Sequence, residues 1–129
     1  MSTIAYSRDY WPPAPVLPVA LAPPDEAPRF GAIPALIDTG ADGTFVPTQL
    51  IERLGIMAKH ITNVRAHMGG TSYRAAVYSV DLLIADTLRF PAMDVVGDDW
   101  GDQIILGRNV LNRLQLYLDG PGAFTQLGR

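Results

Sequence analysis

The segment PALIDTGADGTFVP, Pro34 to Pro47, constrains this chain more than any other. An apolar run carries the backbone up to Asp38, and a Thr-Gly-Ala turn follows at once. A short apolar run closed by a turn signal reads as a buried strand. A carboxylate at the end of such a strand resists ionisation unless something beside it favours the charge. Asp and Gly also build ordinary turns, so the segment takes chemical meaning only from its surroundings.

Those surroundings read mostly as strands. QIILG (Gln103–Gly107) is a second apolar run ending in glycine, and RNVLNRL after it reads as a short helix. HITNVRAHM and SYRAAVYSVDLLI flank GGT, the pattern of a long hairpin with a glycine tip, and Tyr78, Val80, Leu82 and Ile84 alternate as one half-buried face. PVLPVAL (Pro15–Leu21) is predicted to be an edge strand, because its proline cannot donate to a central ladder. APPDEAPRFG is a loop by composition. PTQLIERLG (Pro47–Gly55) suits a helix with proline near its start and glycine just past its end. Pro91 demotes the middle of TLRFPAMDVV to an edge or a bend, and LQLYLDGPGAFTQL closes the chain as a hairpin turning at DGPG. Residues 1–14 read as a loose N-terminal arm with one short strand near Thr3–Ser7, and residues 15–129 as a single domain. Many strands, short helices and no alternating βα rhythm predict an all-β barrel or sandwich with minor helix.

Composition narrows the function. The 129 residues are 48% hydrophobic and 18% charged with a formal net charge of −3, and no basic stripe offers a surface to nucleic acid. No apolar stretch reaches membrane-spanning length, and the prolines of APVLPVALAPP spoil it as a signal peptide, so no membrane partner and a cytoplasmic location are expected. Without cysteine there can be neither disulfides nor thiolate metal sites. His60 and His67 lack partners of metal-ligand type, and GDDWGD (Gly97–Asp102) lacks the spacing of a calcium loop and reads as solvated; no cofactor is expected.

Taken in order, DTGAD, the glycine-tipped HMGGTSY and IILGRNVL resemble the retropepsin-like aspartic proteases, single-lobe relatives of the pepsins, over roughly Pro15 to Leu127. The resemblance implies a closed acid-protease barrel with a flap hairpin and one or two short helices. In it the Asp38 turn and the Gly107 segment adjoin, and the helix from Arg108 packs beneath them. By the same resemblance Asp38 is the catalytic aspartate, Thr39 locks two active-site loops across a dimer axis, and Gly40 bonds the peptide backbone. Asp42 and Arg108 match positions that pair in the retroviral enzymes, which predicts a buried or half-buried ion pair; cutting such a pair strands a charge at a cost of several kcal/mol. Substrate contacts are expected from Ala41, Asp42, Phe45, Val46 and Ile105, and from Met68, Gly69, Gly70 and Thr71 of the flap. Phe45, Val46 and Ile105 would line apolar subsites and favour hydrophobic residues beside the cut bond, whereas Tyr73 reads as a strand surface residue.

The chemistry requires two carboxylates about 3 Å apart, which cannot both ionise and so divide one proton into a base and an acid. The chain offers a single Asp-Thr-Gly. A symmetric homodimer hydrolysing a peptide or protein substrate is therefore expected, with an inert isolated protomer. Ala41 cannot donate a hydrogen bond to the carboxylate, which predicts a pH optimum less acidic than that of a pepsin-like enzyme. Two alternatives use the same residues. One is a catalytically inactive dimer of this fold that binds or scaffolds peptides. The other is a haloacid-dehalogenase-like phosphatase, echoed by ADGTFV, but its nucleophile position is occupied by Gly40.

Overall fold

A computed structural model describes residues 2–65 and 71–128. Its strands are β1 (Ser2–Ala5), β2 (Val16–Ala22), β3 (Ile33–Ile37), β4 (Thr44–Pro47), β5 (His60–Arg65), β6 (Ser72–Ile84), β7 (Leu88–Asp98), β8 (Ile104–Leu106), β9 (Gln115–Asp119) and β10 (Phe124–Gly128). Two short helices interrupt them, α1 (Thr48–Glu52) and α2 (Arg108–Leu111). The protein is thus mainly β, as the strand-rich pattern predicts.

Six strands in the order β2-β3-β8-β4-β7-β6 form a barrel that closes through pairing of β6 with β2, and β5 continues the sheet beyond β6. Apolar residues at alternate strand positions fill its interior, with Leu17, Val19, Val46, Val80, Leu82 and Leu106 fully buried. Two pairings are parallel, β3 with β8 and β4 with β7. Between them β4 meets β8 at the single pair Phe45–Ile105.

Closure through β2 corrects the reading of that strand as an edge. Val16–Val19 pair with β3, and Val19–Ala22 pair with β6. The prolines tolerate this because of where they fall. The Ile37 N–H donates to the Pro15 carbonyl at 3.1 Å, so alternation places Pro18 opposite Pro34 at a position where neither residue owes a bond to the other. Pro18 still serves the barrel through its carbonyl, which accepts from the Ala85 N–H at 2.9 Å.

The Pro91 region bends without leaving the sheet. Between the pairs Val80–Met93 and Leu82–Phe90 the register shifts, so Pro91 and Ala92 together face Asp81, and Ala92 adopts a positive φ of 51°. The shift also breaks the expected alternation of β6: Val80, Leu82 and Ile84 are buried, while Tyr78 is half-buried. Asp81, on the opposite face at 2% exposure, is buried as well.

The N-terminal segment is not loose. β1 pairs antiparallel with β10, which pairs with β9 in a separate three-stranded sheet. The closing hairpin turns where DGPG predicts, with the Gly122 N–H donating to the Asp119 carboxylate at 2.8 Å. Helix α1 is shorter than the predicted segment: it runs five residues from its cap at Pro47, and Gly55 supplies the left-handed backbone (φ 67°) that turns the chain away. β5 and β6 form the predicted hairpin, with Arg65 opposite Ser72.

Candidate active site

Two loops meet where the parallel strands β3 and β8 end. Strand β3 delivers Asp38, whose N–H donates to the carbonyl of Leu106 at 3.1 Å, so the start of the Asp-Thr-Gly turn is pinned to the last residue of β8. The turn closes on itself: the Gly40 N–H donates to Asp38 Oδ1 at 2.9 Å, and the Ala41 N–H to the Asp38 carbonyl at 3.2 Å. Immediately after β8 the chain passes so close to the first loop that only glycine fits. A Cβ on Gly107 would overlap the Gly43 carbonyl and crowd the Ala41 oxygen at 2.9 Å.

The first turn of α2 then bonds back to the same loop. The Arg108 N–H donates to the Ala41 carbonyl at 2.9 Å and the Asn109 N–H to the Asp42 carbonyl at 3.2 Å. Buried Thr44 fastens the junction from below. Its hydroxyl donates to Asn109 Oδ1 at 2.7 Å and accepts from the Gly107 N–H at 3.1 Å, while Asn109 Nδ2 reaches the Asp94 carbonyl on β7 at 3.0 Å. These bonds satisfy polar groups that a loop packed this tightly would otherwise leave unpaired.

Arg108 completes the arrangement with its side chain. One guanidinium nitrogen donates to the Thr39 carbonyl at 2.8 Å, and another pairs with the Asp42 carboxylate. The predicted Asp42–Arg108 pair therefore forms, with Arg108 half-buried as expected and Asp42 exposed. The Asp42 and Arg108 side chains are 92% and 43% exposed in the protomer, so severing the pair carries the small cost of a surface ion pair.

A groove of about 560 Å³ opens beside Asp38. Asp38 is half-buried on its rim, with Gly40, Ala41 and Asp42 alongside, while Phe45 and Ile105 form apolar floor. Val46 is corrected: it points to the other face of β4 and lies fully buried in the core. Thr39 is exposed on the loop, and Thr71 is exposed without lining the groove. Met68, Gly69 and Gly70 fall outside the described residues.

Several wall and floor residues carry no motif in the sequence. Thr62, Asn63, Val64 and Arg65 of β5, Tyr73 of β6, and Val96 and Asp98 of β7 all line the groove. Tyr73 is a wall residue, half-buried and directly across from Val64, and not simply a surface residue of its strand. The two-residue period linking Val96 to Asp98 was a usable signal. The contribution of β5 was not, since it depends on where its pairing with β6 places it once the barrel has closed.

Residues 31–113 match the family described as "gag-polyprotein putative aspartyl protease". The chain belongs to this family. Its aspartyl-protease fold is retropepsin-like, as a comparison with solved structures bears out. A retropepsin-like aspartic protease from Rickettsia conorii superposes with a TM-score of 0.65 at 19% identity, covering 98% of this chain and 88% of the other. The protease of simian foamy virus (mac) superposes at 0.54 and 18% identity, covering 75% of this chain and 91% of the other. No curated protein sequence matches the chain. The matched span contains both the Asp38 loop and the Gly107 segment, so the family likeness lies on the junction described above.

Proposed function

We propose that this aspartyl-protease family member is an active endopeptidase that works as a symmetric homodimer, each protomer contributing Asp38. The observation that carries the reading is the placement of Asp38 on the rim of an apolar-floored groove, on a turn fixed to Leu106 and closed by the Gly40 N–H. With two copies face to face, one carboxylate draws a proton from water while the other, protonated, donates to the carbonyl oxygen of the peptide. The water oxygen bonds to the carbonyl carbon, and collapse of the tetrahedral intermediate expels the amine with a proton returned from the pair. The two carboxyls titrate as one unit. Thr39, exposed at the tip of the turn, is available to meet the partner's loop, and Gly40 presents backbone to the substrate. Action on peptide or protein substrates in the cytoplasm belongs to the same reading.

The test pairs molecular size with cleavage of a peptide library, for the wild type and for Asp38→Asn. A dimer that cleaves, beside a variant equally dimeric but inert, is the expected result. A monomeric wild type, or equal cleavage by the two proteins, overturns the proposal; a dimer that binds peptides without cutting them points to a scaffolding role.

A further inference from the structure

Away from Asp38 the groove changes character. Phe45 pairs with Val96 in the parallel β4–β7 ladder, and Asp98 follows Val96 by two residues, so all three line the groove from one sheet face. The floor thus runs from an apolar stretch to a carboxylate. Tyr73 walls the groove from β6, and its ring meets Trp100 edge-on with centroids 5.2 Å apart and planes at 84°. Trp100 itself is 77% exposed. The loop carrying it is held by Asp98 Oδ1, which accepts from the N–H groups of Trp100 at 3.0 Å and Gly101 at 2.8 Å. The Tyr73 hydroxyl is raised above the ordinary tyrosine range by burial first, then by the negative charges of Asp98 and Asp99. Asp98 and Tyr73 line the same groove, and Trp100, whose N–H donates to Asp98, packs on the Tyr73 ring. Among the described residues no cation pairs with Asp98, and Arg65 lines the same groove without bridging to it.

We propose that Asp98 and Tyr73 form a subsite for a lysine or arginine side chain of the substrate. Its methylene stem lies along Phe45 and Val96, and its cationic head sits between the Asp98 carboxylate and the Tyr73 ring. Lysine and arginine are apolar along the stem and charged at the tip, which is the order in which the groove floor presents its partners. The carboxylate offers a charge-assisted hydrogen bond and the ring a cation–π contact, both stronger where Trp100 and the substrate exclude water. This refines the hydrophobic preference expected from Phe45 and Ile105: the apolar floor accepts the stem, and Asp98 selects side chains long enough to reach it. The inference rests on the peptidase reading.

Two peptides test it, taken from a cut library sequence and differing only in lysine or norleucine at one position near the scissile bond. Each such position is tried in turn, and cleavage is measured as a ratio of kcat/KM. At one position the wild type is expected to favour lysine by about tenfold, the scale of one charged hydrogen bond. Asp98→Asn should bring the ratio close to one while keeping an oxygen to hold the loop, and Tyr73→Phe should retain the preference that Tyr73→Leu weakens. Cleavage with the same ratio in wild type and Asp98→Asn overturns the subsite and leaves the peptidase reading intact. Should no peptide be cut, direct binding of lysine and norleucine peptides from the unselected library separates the claims. A lysine preference lost in Asp98→Asn upholds the subsite without the peptidase, and its absence overturns both.

Discussion

Gly107 is the residue on which the junction of the two loops most depends. Any side chain there must push against the Gly43 and Ala41 carbonyls, the second of which is fixed by the Arg108 N–H. Gly107→Ala is therefore expected to lower stability by about 3 kcal/mol, read as a fall in the urea midpoint. A change of the opposite sign is available at Thr125. Its hydroxyl is fully buried and without a hydrogen-bond partner among the described residues. Thr125→Val should raise stability by about 1 kcal/mol by removing an unsatisfied group, visible as a higher melting temperature. Asp42→Asn, by contrast, should change stability by less than about 1 kcal/mol, since the pair with Arg108 is exposed.

At the scale of elements, the bulge in β7 matters as much as any strand. It turns the Ala92 N–H toward Asp81, whose carboxylate accepts from Ala92 at 2.7 Å, from Asp25 N–H at 3.0 Å, and from Arg89 Nε and Nη2 at 3.2 and 2.7 Å. One buried carboxylate thus ties the loop after β2 to both long strands. Burial alone would raise its pKa, but the bonds from Ala92, Arg89 and Asp25 outweigh that and hold it below the ordinary value of 3.8. A depressed folded-state pKa stabilises fully above the unfolded value and loses that contribution as pH falls through the folded one. Asp81→Asn should therefore cost about 2 kcal/mol near neutral pH. The melting-temperature gap to wild type should shrink only below about pH 4 as the wild-type carboxyl protonates. A gap that stays constant down to pH 2 would contradict this account.

For the whole molecule, the decisive issue is whether one groove needs two chains. If two Asp38 carboxyls act together, equimolar wild type and Asp38→Asn, unfolded and refolded as a mixture, should lose about half the wild-type activity through mixed dimers. Protomers acting alone would lose none. The expectation of a two-fold partner comes from the single Asp-Thr-Gly in the sequence. The shape of the groove was not legible there, since its walls come from β5, β6 and β7, far from Asp38 in sequence.

What the amino-acid order determined by itself was local. The apolar run into Asp38, the hairpin arms, the glycine at 107 and the proline that caps α1 all act through sterics and alternation within a few residues. Tertiary structure alone decided which edges meet. It made proline-bearing β2 the closing strand of the barrel, turned Val46 inward, buried Asp81 and left the Asp42–Arg108 pair in the open. Those outcomes depend on partners dozens of residues apart, and short-range propensity carries no information about contacts that exist only after the barrel has closed.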